Sequence, residues 1–413
     1  MAVHVIGAGL AGLAAAMRLA ERDAGVFVHE AASQAGGRCR SYHDPVLDMV
    51  IDNGNHLLLS GNHAALAYLS ASGAARHLEG PPHAEFAFVD LASGERWTLS
   101  INDGKLPAWI FDKRRRVPGT HIGDYFSFAR LLWARQEKTV CETVPCSGPL
   151  YERLARPLWL AALNTEPKEA SAQLAGAVMA ETLARGGKAC RPLFARAGLA
   201  QVFVDPALEW LRKRKVAIAL GRRLRALKLV ADRVTALEFT DGKIAIDAGD
   251  SVILAVPPMV ARDLVPELET PDAFRAIVNA HFRIDPPATF PPIMGVVNGT
   301  IEWLFAFEHR LSVTISCADR LLDAARESLA RQIWDEVAAV TGLPHSMPLW
   351  QIVRERRATF AATPAQNARR PGARTRWSNL FLAGDWTRTG LPATIEGAVR
   401  SGYRAADLII IAA

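Results

Sequence analysis

The chain has 413 residues, of which 50% are hydrophobic and 22% charged, a balance that excludes extended disorder and collagen-like repeats. At about 150 residues per domain, the length predicts two or three domains. The net charge of +6 is uneven: residues 105–225 hold 22 Lys/Arg against 10 Asp/Glu, and the remainder is acidic.

Val3–Ile6 reads as a short strand, followed by Gly7-Ala8-Gly9-Leu10-Ala11-Gly12 and an Ala/Leu-rich helix to about Arg22. Val26–Glu30 reads as a second strand ending on a carboxylate. In such a β–turn–α–β unit the first glycine permits the tight turn. The second lets backbone approach a pyrophosphate, and the third allows close helix–strand packing, with the helix N-terminus aimed at the phosphates. Glu30, 18 residues beyond Gly12, stands where a carboxylate accepts hydrogen bonds from a ribose diol. The arrangement predicts dinucleotide binding.

Residues 86–100 alternate as a hairpin turning at Ser93-Gly94, and residues 121–215 are mostly helical in pattern, broken near Pro145–Pro149, Pro167 and Pro192. Strand signals return at 232–239, 243–248 and 251–256, then across 293–316, and 319–341 reads as an amphipathic helix. The end repeats the opening: a strand over Asn379–Ala383, a loop containing Gly384, and a helix from about Thr394. Halves of one nucleotide-type unit at opposite ends predict a discontinuous domain (1–75, 200–270 and 365–413) interrupted by a second (76–199 and 271–364). The longest uncharged run, 53–75, holds Asn53, Asn55, His56, Asn62 and His63, too polar for a membrane span. Residues 2–6 have no basic leader and no cleavage site, so no secretory signal is expected. The five cysteines (39, 141, 146, 190, 317) form no Cys-x-x-Cys, so disulfides and metal sites are not expected and a cytoplasmic protein is the reading.

Gly36-Gly37-Arg38 and Asp52-x-Gly54-x-His56 follow the opening unit. Near the end stand Leu382-Ala383-Gly384-Asp385-Trp386, then Leu391-Pro392-Ala393-Thr394-Ile395-Glu396-Gly397-Ala398, then Ser401-Gly402. Together these resemble the flavin amine oxidase and carotenoid desaturase superfamily from end to end. The resemblance implies FAD as cofactor and an α/β fold: a discontinuous Rossmann-type FAD-binding domain with an inserted α+β substrate domain of antiparallel sheet and helices. It implies that the Gly-Gly-Arg loop lies against the flavin's phosphates and ring system, that Gly-Asp contacts the ribityl-phosphate region, and that the last helix aims its N-terminus at the pyrimidine edge. The expected FAD contacts are Gly7, Ala8, Gly9, Leu10, Ala11, Gly12, Glu30, Ala31, Gly36, Gly37, Arg38, Asn55, His56, Leu224, Gly384, Asp385, Pro392, Ala393, Thr394 and Ile395. For Arg38 the alternative is a surface salt bridge, and for Asp385 a turn or cap residue.

Amine oxidases of this superfamily place a lysine late in the substrate domain, whereas the last lysine here is Lys243. The strands from 293 to 316 offer Ile293, Met294, Val296, Val297, Trp303, Leu304, Phe305 and Phe307 instead, an apolar face suited to a hydrocarbon or to ordinary core packing. Pro157-Leu158-Trp159-Leu160-Ala161-Ala162-Leu163-Asn164-Thr165, with Pro167 and Ala170-Ser171-Ala172, resembles the signature of the hydroxysqualene dehydroxylases of bacterial hopanoid pathways. Gly198-Leu199 through Val204-Asp205-Pro206 continues the likeness. The resemblance implies loss of an allylic hydroxyl as water and hydride delivery from reduced FAD, giving squalene. Such a site needs an acid, a water-poor channel and cation stabilisation. His56 is the candidate acid, or else a structural or FAD-contacting histidine. Asn164 is a candidate to orient the hydroxyl, or else a helix-end cap. A polyene desaturase, an amine oxidase and a non-catalytic isoprenoid-binding flavoprotein are the rival readings.

The expected partners are a polyisoprenoid substrate, squalene-pathway enzymes, an electron donor of unspecified identity and no nucleic acid. Residues 121–138 mix Tyr125, Phe126, Phe128, Leu131, Leu132 and Trp133 with Arg130, Arg135 and Lys138, which suits either core packing or peripheral contact with the inner face of the cytoplasmic membrane. Lys113–Arg116 and Arg212–Lys215 would fit the same lipid-facing surface.

Overall fold

The computed structural model describes residues 1–412. Five parallel strands form the central sheet, in the order Ala217–Ala219, Gly25–His29, Ala2–Ile6, Ser251–Leu254, Leu380–Leu382. A parallel sheet is covered on both faces, so its strands are apolar throughout; Val3, Val5, Val28, Ile253 and Leu254 are fully buried. One face packs on helices Leu10–Ala20 and Ile395–Ala412. These cross closely because Gly402 has no side chain: a Cβ there would stand 2.1 Å from the Ala11 carbonyl oxygen. The other face packs on an antiparallel sheet of Leu224–Val230, Arg233–Phe239 and Gly242–Ala245. The expected Rossmann-type α/β unit is therefore present, in three layers, from three separated stretches of chain.

A seven-stranded sheet stands beside it, in the order Trp350–Phe360, Phe274–Arg283, Arg310–Ile315, Trp303–Phe307, Ile293–Val297, Ala84–Asp90, Arg96–Ile101. All its pairings are antiparallel except that of Ile293–Val297 with Ala84–Asp90. The two longest strands, 274–283 and 350–360, carry no clean apolar alternation: the latter holds Arg354, Glu355, Arg356 and Arg357. Helix Arg326–Thr341 covers one face, its Trp334 packed on Phe282 at 5.0 Å between ring centres. The single apolar face expected over 293–307 is in fact two, because strand side chains alternate. Met294, Val296 and Leu304 face the helix, while Ile293, Trp303, Phe305 and Phe307 face the other way.

The helical pattern over 121–215 resolves into short pieces: Ile122–Ser127, Val140–Thr143, Arg156–Leu163, Ala172–Glu181 and Asp205–Lys213. Pro192–Ala195 is not a helix break but a strand, paired between Leu57–Leu59 and Leu78–Glu79. Against the expectation of no disulfide, Cys141 and Cys146 are bonded. The helix Val140–Thr143 gives way to extended Val144, and the chain turns back far enough to bring the two Cα atoms to 5.3 Å. No helix among the described residues is long and apolar enough to cross a membrane.

Candidate functional site

The glycines of the first turn hold three different jobs. Gly7 adopts φ +108, and a Cβ there would meet the Ala255 carbonyl oxygen at 2.4 Å; at Gly12 it would meet the Gly7 oxygen at 1.9 Å. Gly9 is different: a Cβ would meet nothing within 4 Å. Gly9 also caps helix Leu10–Ala20, whose first amides have no side-chain cap, leaving donors aimed outward at the positive end of the helix. Gly36 and Gly37, at φ +106 and +58, run alongside, with a bridge between Gly9 and Gly36. The result is a bare backbone cradle beside a helix N-terminus, which fits a pyrophosphate.

Glu30 closes one end. Its two carboxylate oxygens accept from the amides of Ala8 (2.7 Å) and Ala32 (2.8 Å), which fixes the group while leaving lone pairs for a diol. Ala31 is exposed beside it. Leu224 begins the strand that starts two residues after Arg222, whose amide donates to the Glu30 carbonyl at 2.7 Å.

At the other end, Arg38 donates to Asp385 Oδ1 at 2.7 Å and to the Ala358 carbonyl at 2.6 Å. Asp385 raises the guanidinium's pKa, so Arg38 stays charged. Protein encloses Arg38, yet its side chain keeps 44% of its surface accessible, so that surface faces an internal groove. Gly384 N–H donates to Ser401 Oγ at 2.8 Å, which explains the serine of the last motif. Behind the loop, buried Arg370 donates to the carbonyl of Asp385 (3.0 Å) and the hydroxyl of Thr389 (2.8 Å); the sequence reading missed it. Thr394 Oγ1 accepts from Gly397 N–H at 3.0 Å and caps the helix that begins at Ile395, with Pro392 and Ala393 leading into it. Glu396 accepts from the amides of Ala64 and Ala65 at 3.0 and 2.8 Å, pinning the helix His63–Ala71.

The loop 52–56 joins the cradle to the seven-stranded sheet. Buried Asp52 accepts from Ser41 Oγ (2.6 Å) and Leu199 N–H (2.8 Å), a contact that gives the Gly198-Leu199 likeness its physical reason. Asn55 donates to Thr314 Oγ1 at 3.0 Å, and its own Oδ1 is buried without a partner. His56 is enclosed; burial, with the Arg38 charge second, pushes its pKa down to about 4.

Thr314, Ser312 and Arg310 pair with Trp303, Phe305 and Phe307, so the loop and the aromatic row share a sheet face. Glu302 directly precedes that row in sequence. Its Oε2 accepts from Ser316 N–H at 2.8 Å, and burial pushes its pKa up to about 7. No reading of the sequence picked it out. A lone acid beside an aromatic run, between Asn298 and Glu308, was the signal available. Asn164 braces the residue after Ser316, Cys317. It adopts φ +47 at the end of helix Arg156–Leu163, its Oδ1 accepts from Cys317 N–H at 2.6 Å, and its Nδ2 donates to Thr359 Oγ1 at 3.0 Å. The side chain is 2% exposed and its polar groups face protein.

The model of the flavin containing amine oxidoreductases matches residues 10–410. The chain belongs to that family. As one of these flavoproteins it carries FAD, and the bare cradle, the Glu30 carboxylate and the groove-facing Arg38 fit that cofactor. It is an FAD-dependent oxidoreductase. Within the family it is 59% identical over 411 residues to the hydroxysqualene dehydroxylase of Rhodopseudomonas palustris, covering 99% of this chain and 98% of the relative. It is 55% identical over 408 residues to that of Sinorhizobium fredii, again covering 99% and 98%. Among solved structures, cyclohexylamine oxidase from Brevibacterium oxydans superposes with a TM-score of 0.73 at 17% identity, over 99% of this chain and 98% of that one. That likeness is one of fold. Among the described residues the chain has no lysine after Lys243.

Proposed function

We propose that the protein reduces hydroxysqualene to squalene, replacing an allylic hydroxyl by hydrogen, within hopanoid synthesis. The observation that carries this reading is the near-full-length identity to two hydroxysqualene dehydroxylases. The site chemistry supports it. Heterolysis of the carbon–oxygen bond requires a proton on the departing oxygen, and the two candidate acids differ in how much proton they hold. With a pKa of about 4, His56 is neutral at pH 7 and has little to give. With a pKa of about 7, Glu302 is about half protonated at neutrality and close to matched to the medium, the condition under which a general acid works best. Glu302 is therefore the proton donor in this reading. Water leaves with that proton, the carboxylate is reprotonated from solvent, and the positive charge remains on the polyene.

Trp303, Phe305 and Phe307 offer aromatic faces to that charge and exclude the water that would recapture it. When bound, reduced FAD supplies the hydride that completes the new carbon–hydrogen bond. The cradle of Gly9, Gly36 and Gly37, with Glu30, Arg38, Asp385 and the 392–395 turn, positions that cofactor. His56 contributes a neutral imidazole against it. Asn164 acts through others, holding the turn that carries Ser316 and hence Glu302. A cytoplasmic protein in peripheral contact with a membrane, receiving substrate from an earlier squalene-pathway enzyme and electrons from a separate donor, completes the reading.

The test is lipid extraction after anaerobic turnover of hydroxysqualene by the pre-reduced protein. Squalene is the expected product; unchanged hydroxysqualene, or a more unsaturated polyene, contradicts the proposal.

A further inference from the structure

Residues 105–135 turn some apolar side chains into the core and leave others exposed. Inward, Trp109, Ile110, Val117 and Tyr125 join the cluster containing Trp303, Phe305 and Phe307, and Trp109 meets Tyr125 edge to face at 5.1 Å. Outward, Leu106, Phe111, Phe126 and Trp133 are 81, 62, 58 and 78% exposed. Phe111 and Phe126 lie two residues and one residue from the Trp109–Tyr125 contact in sequence. Of the four exposed Phe and Trp side chains among the described residues, three lie here. The same stretch carries seven cations (Lys105, Lys113, Arg114, Arg115, Arg116, Arg130 and Arg135) against two acids, Asp112 and Asp124.

The same stretch holds a surface cavity of about 220 Å³ lined by Lys113, Arg116 and His121, among others. The Nε of Arg116 is buried there without a partner. Arg212–Lys215, the other basic run, lies instead at the end of a helix packed on Leu10–Ala20.

We propose that residues 105–135 seat this protein on an anionic phospholipid bilayer. Phe111, Phe126 and Trp133 enter the boundary between headgroups and acyl chains, where aromatic rings are favoured. The cations meet the negative surface, and the Lys113–Arg116 cavity takes a headgroup phosphate. Resting on the reading that the substrate is a polyisoprenoid, this places the bilayer one layer of side chains away from the aromatic row beside Glu302. A long hydrocarbon then reaches the site without crossing water.

The FAD-loaded full chain is sedimented with sucrose-loaded vesicles of phosphatidylcholine, with or without phosphatidylglycerol. It is expected to pellet only with the anionic vesicles. The pairs Phe126→Ser with Trp133→Ser, and Lys113→Glu with Arg116→Glu, should each lower the bound fraction about tenfold. Both should retain flavin absorbance, far-UV dichroism and turnover of hydroxysqualene in detergent micelles. Failure of the wild type to pellet with anionic vesicles, equal pelleting with neutral ones, or wild-type pelleting by both variants overturns the proposal. Vesicle binding without any micellar turnover supports docking while removing the dehydroxylase reading.

Discussion

Arg38 and Asp385 lie 347 residues apart in sequence and 2.7 Å apart in space, joined by a charge-assisted hydrogen bond that ties the first Gly-rich turns to the last motif. A second bond from Arg38, to the Ala358 carbonyl, adds the seven-stranded sheet to the same junction. The contact therefore holds together the pieces of chain that surround one cofactor. Arg38→Met or Asp385→Asn is expected to weaken FAD binding about 10- to 100-fold, the range of one charge-assisted hydrogen bond. Fluorescence titration of the apoprotein with FAD measures it.

Gly9 and Gly12 separate a glycine that serves a ligand from one that serves packing. Space is open at Gly9 and closed at Gly12, where a Cβ would overlap the Gly7 oxygen. Gly9→Val should leave the apoprotein's melting temperature within a few degrees of wild type and abolish FAD uptake. Gly12→Ala should destabilise the apoprotein itself by about 2 kcal/mol or more, as overpacking does. Calorimetry of both apoproteins, with FAD titration, distinguishes them.

Glu302 makes activity and stability depend on pH in the same direction. Its carboxyl binds its proton up to about pH 7 in the folded protein, against an ordinary glutamate value of 4.5, so the folded state holds more protons than the unfolded between those limits. Stability therefore falls as pH rises through that window, and turnover falls above about 7 as the acid is lost. Glu302→Gln should lower kcat about 100- to 1,000-fold and remove that alkaline limb. It should also raise stability at pH 8 by on the order of 2 kcal/mol, since no charge is buried. A pH–rate profile and chemical denaturation at two pH values read both.

The FAD half of the molecule is legible in sequence because its chemistry lies in contiguous runs: strand, glycines, helix and acid follow each other within residues 3–30, and the last motif is equally compact. Glu302 is not, because what makes it an acid is burial beside Ser316, brought in by a strand crossing rather than by neighbours in sequence. Strands 274–283 and 350–360 hide for a related reason. Asn279 and Glu355 turn polar side chains toward the 53–55 loop, so the strands lose the apolar alternation that marks a half-buried sheet. The Cys141–Cys146 bond likewise depends on a local turn that five residues of spacing do not announce.

Asn164 carries the signature that set this chain apart, and its geometry makes it a brace. Asn164→Ala would leave Cys317 N–H and Thr359 Oγ1 unpaired and force alanine into φ +47. A loss of about 2–4 kcal/mol in stability is expected. If Asn164 instead contacts the substrate hydroxyl, KM should rise with stability unchanged. Thermal melts beside steady-state kinetics separate the two.

The central claim is the direction of electron flow, and a single turnover tests it. Protein loaded with FAD is reduced anaerobically with dithionite and mixed with hydroxysqualene in detergent, and flavin absorbance and extracted lipid are followed together. The account predicts one squalene formed for each flavin reoxidised. Flavin that stays reduced beside hydroxysqualene, while oxidised protein is bleached by squalene or phytoene, would contradict it and make the protein a desaturase.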